Sequence, residues 1–583
     1  MYLSVNQQKG QQCSSKEGFH DTLEASLSGL SPMQASIRAG QILKDRLGLK
    51  AGAKLVNWER ILQGENDDDD GNEEVERFKY EQQLDRAFLS KISIIGLGFA
   101  LMSPVLGMST TISIGLNNGG PLTIVMGFIV CGFATWLCSL SLGEIVSRFP
   151  MELHGSSAML APENYKLCCS WFTGWLMLLG NWTMSTSITF AGAQLAISLI
   201  NMANSGLIRE DLIMFFTVLA FYLIVSVVGL INLKFPGTIE TVNKVCVYWI
   251  LYAVIFIDIL LLLFHSGSYR SLKFAFTHFD NSRSGYTSAV LSFMIGFQQS
   301  NFTLQGFSML PALADEVKEP ERDIPKGMSS SVLISTCVGI VFLLPIMIIL
   351  PDLQTIFRDS RVMPIVLIFT SSTHSMFVSI FLVIMILGNL FFSGIGSMTT
   401  SSRAVYSMSR DMALPYSEFW SHVDASSKHK VPKNSIFLSM GISYLLGLLA
   451  LVSAAAFNAF MGAAVLCLCS ATCIPLILVV VSRRRALRGS PIKVKYRLGW
   501  PVNICSICWL LFTMVVICLP PRVPVTFETM NYAVVVYLAF LGAITALYFR
   551  WGKHHFRLPL VGGDSKTDDS VDTVILQELH TSK

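Results

Sequence analysis

Four carboxylates stand inside, or at the ends of, long apolar stretches of this chain: Glu144, Asp258, Asp315 and Glu316. A charge at such a depth needs a partner or a water-lined path, so each is a candidate coupling or gate residue. Glu144 lies in SLGEIVSRFP, where Arg148 follows four residues later on the same helix face, and a structural pair is the simplest reading. Asp258 sits among Ile257, Ile259 and Leu260 with no base nearby in sequence. It can titrate, bind a cationic substrate or bond to a backbone group at the membrane edge, and its neighbours leave all three open. Asp315 and Glu316 precede Lys318, Arg322 and Lys326, which are placed to pair with them as a gate network or as a plain interfacial cluster.

Two other stretches offer backbone rather than side-chain chemistry. GLGFALMSPVLGMSTTISIGL, from Gly96 to Leu116, and GFQQSNFTLQGFSML, from Gly296 to Leu310, are apolar but interrupted by glycine, proline and small polar residues. Backbone freed by such breaks is tolerated at membrane depth where it lines an enclosed cavity. A matching pair, one in each half of a chain, points to a transporter's substrate site. The candidate site is Met102, Ser103, Pro104, Val105 and Gly107 from the first break. Thr303, Leu304, Gln305, Gly306, Phe307 and Ser308 come from the second. Pro104 removes a donor, Gly107 and Gly306 let backbone approach a ligand, and Phe307 is placed to close over it. The half-helix ends carry partial charges that suit a carboxylate or an ammonium without a full side-chain charge.

Enzymatic chemistry finds little support. There is no GxSxG turn, no Walker loop and no HExxH, and none of the ten histidines falls in the middle of an apolar span. Ten of the thirteen cysteines lie in such spans, where a free thiol packs as a small hydrophobe. Cys505 and Cys508 have CxxC spacing but no second pair, so no metal and no cofactor is expected. The sequons at Asn181 and Asn301 lie within spans and should stay unmodified. A net charge of +4 without a basic footprint argues against a nucleic-acid partner.

The elements that must position these residues follow from composition. The 583 residues are 52% hydrophobic and 14% charged, with mean hydropathy +0.54, against about 25% charged in a soluble domain. An all-α polytopic membrane protein is expected. Twelve apolar stretches are long enough to cross about 30 Å of hydrocarbon. They run near 92–116, 121–146, 171–201, 211–232, 243–264, 288–313, 329–350, 376–402, 435–456, 458–481, 501–519 and 530–549. The loops after even-numbered segments hold 18 Lys and Arg against 7 after the odd-numbered ones, so both termini should be cytosolic. Residues 1–88 form a polar tail without a cleaved-signal pattern. An acidic block there, Asp67 to Asp70 with Glu73, Glu74 and Glu76, reads as a solvated linker or a docking element, and Ile37 to Leu62 has the pattern of a surface-lying amphipathic helix. The transporter domain then covers 89–549. A short cytosolic tail, 550–583, carries Ser570 between Asp568 and Asp572 as a phosphorylation candidate.

Several runs carry a family resemblance. DEVKEPERDIPKGM after the second break and RAVYSMSRDMALP, from Arg403 to Pro415, resemble the motifs after segments 6 and 8 of the amino acid/polyamine/organocation transporters. SLGEIVSRFP and PVTFETMNYAVVV are similar to the fungal amino acid and choline permease branch. EIVSRFPMELHGSSAMLAPE and NFTLQGFSMLPALADEVKEP look most like the polyamine transporters of the fungal Golgi. The resemblance covers about residues 80 to 555. It implies a LeuT-like 5+5 inverted repeat with discontinuous helices 1 and 6. It also implies transport of small organic cations, putrescine and spermidine first, by alternating access coupled to protons, in a Golgi or related membrane. GABA, another amino acid or choline as substrate, or a non-transporting nutrient sensor, remain alternatives. For a polyamine, Gln305 and Ser308 supply acceptors, while Phe307 and Trp182 offer cation–π contacts of about 0.5 to 2 kcal/mol.

Two departures qualify the transfer. Relatives usually carry Ala-Gly-Gly after the segment 2 proline, whereas Met151, Glu152, Leu153, His154, Gly155 and Ser156 follow Pro150 here. Phe307-Ser308 stands where GABA permeases have Phe-Asp, which removes a carboxylate from the expected cavity. Some relatives use a lysine in the middle of segment 5 for coupling, but Lys244 lies only at its start. The proton carrier is therefore unassigned by resemblance.

Overall fold

Ser90 starts the first membrane helix by accepting a hydrogen bond from the Ser93 N–H at 3.4 Å, and left-handed Ser103 ends it after twelve helical residues. The computed structural model describes residues 89–204, 208–357, 362–423, 430–451, 456–492, 496–526 and 530–558. The expected acidic block, the amphipathic helix at Ile37 to Leu62 and the Ser570 region lie outside them.

The main helices are α1 (Lys91–Met102), α2 (Pro104–Asn117), α3 (Gly120–Arg148), α4 (Leu153–Leu160), α5 (Lys166–Ala203), α6 (Ile213–Lys234) and α7 (Ile239–Phe264). They continue with α8 (Ala289–Leu304), α9 (Pro320–Ile348), α10 (Pro364–Thr373), α11 (Met376–Arg410), α12 (Lys433–Ala450), α13 (Ala456–Val481), α14 (Tyr496–Cys518) and α15 (Ala533–Leu547). With α1 and α2 counted as one crossing, eleven helices among the described residues are long and apolar enough to span a membrane.

The count differs from the twelve expected because the sixth stretch is not one helix. The 16-residue α8 gives way at Gln305 to twelve residues of 3-10 helix, Gln305–Glu316, with Pro311 inside it. At about 1.5 Å per α residue and 2.0 Å per 3-10 residue, the two pieces still reach about 48 Å. Another boundary moved as well: α9 begins at Pro320, nine residues before the expected start. Pro320 occupies a first-turn position, where no N–H is needed, and Glu321 and Asp323 sit where the helix dipole favours acids.

The breaks lie at the centre of the bundle. The α1–α2 crossing is buried almost all round, packed by α7, α9 and α11 on its first half and by α3 and α8 on its second. Helix α5 runs through the middle against α11 and α13, and α9 lies along α3. Outer helices show their apolar side outward: Leu219, Leu223, Val227 and Leu230 on α6 are exposed, as are Tyr248, Tyr252, Ile255 and Ile259 on α7. Spacings of three and four residues put each set on one helix face, and faces this apolar suit lipid rather than water.

Candidate functional site

The first break has a local cause. Residue 104 is proline, so it cannot donate to the Ala100 carbonyl four residues back. Ser393 on α11 supplies that donor instead, at 2.7 Å. Ser103 takes up φ 33°, ψ 69° between the two half-helices, a left-handed conformation uncommon for a residue with a side chain.

The second break packs directly onto the first. A Cβ on Gly306 would lie 2.8 Å from the Leu101 carbonyl carbon, and one on Gly107 would lie 2.7 Å from Thr303 Oγ1. Glycine at both places is what permits this approach. Gln299 also ties the halves together, its Nε2 donating to the Met108 carbonyl at 3.3 Å. Ser103 Oγ, Gln299 Oε1, Asn301 Nδ2 and Gln305 Nε2 are buried here with no protein partner. Each such atom costs about 1 to 3 kcal/mol unless water or a ligand meets it.

A cavity of about 10 Å³ lies at the junction, bordered by Met102, Ser103, Gly107 and Thr303 from the expected set. Leu101, Leu106, Thr110, Met184, Ile188, Ala191 and Phe302 complete it, and the α5 positions among them, Met184, Ile188 and Ala191, gave no signal in the sequence. Its volume holds about one water, so a substrate must push the breaks apart. The other expected residues do not border it. Phe307 is fully buried and Ser308 donates to the Gln305 carbonyl at 3.0 Å. Trp182 spends its indole N–H on Ser439 Oγ at 3.2 Å, and Pro104, Val105, Leu304, Gln305 and Gly306 lie outside the cavity lining.

A second cavity, about 240 Å³, opens at one end of the bundle between Asn117, Asn118, Gln298, Arg522 and Asn531. Thr110 and Phe302 border both cavities and so form the partition between them. Neither cavity is lined by an aspartate or glutamate. Phe302, not Phe307, is the aromatic ring next to the junction, and its place five residues earlier on the helical part of the segment explains why break-centred reasoning missed it.

The opposite end is closed by ion pairs. Glu316 Oε1 meets Arg403 Nε at 2.8 Å with both side chains buried, and Asp315 Oδ2 meets Arg410 Nη1 at 2.6 Å. The partners expected from sequence, Lys318, Arg322 and Lys326, are replaced by two arginines at the end of α11, since the 3-10 stretch packs along that helix. Leu89 adds a backbone bond to the Glu316 carbonyl at 3.3 Å. Glu144, for which the sequence offers Arg148, meets Arg484 Nη2 at 2.7 Å from both carboxylate oxygens. Asp258 is buried on the inward face of α7 with Oδ1 unpartnered, but it borders neither cavity.

Residues that the sequence flagged only as a departure complete this end. His154 Nε2 lies 2.7 Å from Asp411 Oδ2 and its Nδ1 lies 3.5 Å from Glu152 Oε2. Burial alone favours a neutral imidazole, but the Asp411 and Glu152 carboxylates outweigh it and raise His154 to about 9. Burial pushes Glu152 up to about 7, against the pull of His154 and Arg410.

The family model described as amino acid permease matches residues 94–561. The polyamine transporter TPO5 of Saccharomyces cerevisiae is 67% identical over 85% of this chain and 80% of its own length. The amino-acid permease BAT1 of Arabidopsis thaliana is 30% identical over 84% of this chain and 96% of its own length. The choline transporter of Saccharomyces cerevisiae is 27% identical, with 81% and 82% covered.

Proposed function

This chain belongs to the amino acid permease family and is a membrane transporter rather than an enzyme; from that premise we propose that it carries polyamines, putrescine and spermidine, by proton-coupled alternating access. The likeness to the yeast polyamine transporter carries the choice of substrate. The site chemistry is compatible with it. The C-terminal ends of α1 at Met102 and α8 at Leu304 come together at the junction, and helix C-termini carry the negative partial charge that an ammonium seeks. Ser103 Oγ and Gln299 Oε1 are acceptors without protein partners, and Phe302 offers a ring face. Ammonium groups are thus met by dipoles rather than by a carboxylate.

In this reading the breaks are equivalent positions of two inverted five-helix repeats, and α8 with its 3-10 extension is the sixth of twelve crossings. The loop charge balance of 18 against 7 supports a cytosolic address for the ion-paired end and for both termini. The conformation described is then closed to the cytosol, with the 240 Å³ cavity facing the lumen of a Golgi or related compartment.

Purified full-length chain in liposomes tests the proposal. Saturable spermidine flux driven by a pH gradient is the expected result. Flux of GABA or choline in its place would move the chain to a neighbouring branch, and no flux with any of these would favour a sensor.

A further inference from the structure

The ion-paired end holds more negative charge than it needs to lock. Glu152 precedes α4 and His154 lies in its first turn; Arg410 ends α11 and Asp411 follows it; Asp315 comes from the 3-10 stretch. All five are largely buried, with His154 2% exposed and Asp411 7%. Arg410 is shared between Asp315 at 2.6 Å and Asp411 at 3.6 Å. Three carboxylates therefore face one guanidinium and one imidazole. Even with His154 protonated, the cluster is neutral only when it also holds a proton on Glu152, and an unbalanced buried charge is strongly disfavoured. Around the ring, the Arg410 guanidinium lies 5.9 Å from the centre of the buried Tyr406 ring, and α5 offers Gly174, where a Cβ would come 3.1 Å from His154 Cβ. The segment after Gly552 brings Arg557, whose backbone N–H is held by the Asp411 carbonyl at 3.0 Å.

We propose that Glu152 and His154, locked against Asp411, form a proton-binding site built into the gate, filled when the gate closes and emptied toward the cytosol when it opens. The proposal rests on reading this end as the cytosolic gate, and it names the carrier that the family resemblance leaves open. Opening separates α4 from the end of α11 and lets water in. His154 then loses Asp411, the carboxylate 2.7 Å from its Nε2, and falls from about 9 back toward its ordinary 6.5. Glu152 returns toward 4.5, from about 7. Both groups hold protons more tightly in the closed gate, so their contribution to closure is fully present at low pH. It is lost as pH rises, first through Glu152 near 7 and then through His154 near 9. A cytosolic proton favours the closed gate, and opening releases it.

The test needs no substrate. Glu163 and Glu418 are exposed on the two sides of the gate, so spin labels at Glu163→Cys and Glu418→Cys, in a full chain with its native cysteines replaced, report the gap. In nanodiscs the closed-to-open ratio should fall between pH 5 and 9 by about tenfold per pH unit for each proton released. Glu152→Gln should flatten the titration below about pH 6.5, where only Glu152 changes charge between the two states. The double variant Glu152→Gln, His154→Gln should be flat throughout. A parent that does not titrate overturns the proposal, as does a double variant that titrates like the parent. If the double variant does not fold, an unchanged low-pH limb in Glu152→Gln overturns it alone. Titration without spermidine flux in liposomes would defeat the polyamine reading and leave the proton site standing; flux without titration would do the reverse.

Discussion

Replacing Gly306 by alanine isolates the contact between the two breaks. The new Cβ would sit 2.8 Å from the Leu101 carbonyl carbon and 2.9 Å from its oxygen. Carbon atoms prefer about 3.5 to 4.0 Å, so the segments must part by about 0.7 Å. Both sides of the contact are backbone, and no side chain can rotate out of the way. Gly306 is not in the left-handed region, so alanine adds no torsional strain of its own, and the effect comes from overpacking, about 1 to 3 kcal/mol. That cost falls on the conformation in which the breaks touch and the junction holds only about 10 Å³. It corresponds to a shift of about 5- to 150-fold in the equilibrium between transport states. Spermidine uptake into liposomes should slow at least about fivefold, while the thermal midpoint stays within a few degrees of the parent's. Gly441→Ala and Gly542→Ala are matched controls, because a Cβ at either place meets nothing within 4 Å. Parent-like uptake by Gly306→Ala would refute the idea that the breaks must separate and rejoin during transport.

Other outcomes follow from the same geometry. Phe302→Ala removes the ring between the cavities, so a leak independent of the pH gradient should appear in the liposome assay; tight coupling with unchanged flux would return Phe302 to a packing role. Arg403→Gln leaves Glu316 buried without its cation, which costs about 3 to 5 kcal/mol and should shift the labelled gate at least about a hundredfold toward open. The double variant with Glu316→Gln should recover most of that shift, and equal single and double effects would contradict a buried pair. Asp258→Asn should leave both flux and its pH dependence unchanged. A loss there would instead route the proton through α7.

The positions of the breaks were legible because their causes are local. Pro104 removes a donor and Gly306 removes a side chain, and both effects can be read from one residue. What the sequence could not supply were partners separated by many residues. Asp315 and Glu316 bind Arg410 and Arg403, 95 and 87 positions away, although cations stood much closer in the chain. The same limit applies to Ser393, whose hydroxyl answers Ala100 from 293 residues on. His154 was visible as a departure from the family pattern, but its role depended on Asp411, which α11 delivers. Phe307 drew attention because it stands at the break, whereas the segment stays α-helical to Leu304 before tightening to 3-10, and Phe302 on the helical part is the ring that borders the junction.

One contact at the first break has a mechanical meaning. Ser393 holds the Ala100 carbonyl, and the same 35-residue helix carries Arg403 and Arg410 ten and seventeen positions further on, about 15 and 25 Å away along a straight rod. Ser393 is therefore a fulcrum, and the rest of the helix is a lever arm. A tilt of about 5° at that point swings Arg410 by about 2 Å at this rise per residue, enough to carry it beyond the reach of Asp315. A ligand that spreads the breaks by less than an atomic diameter could in this way unlatch the far end of the protein.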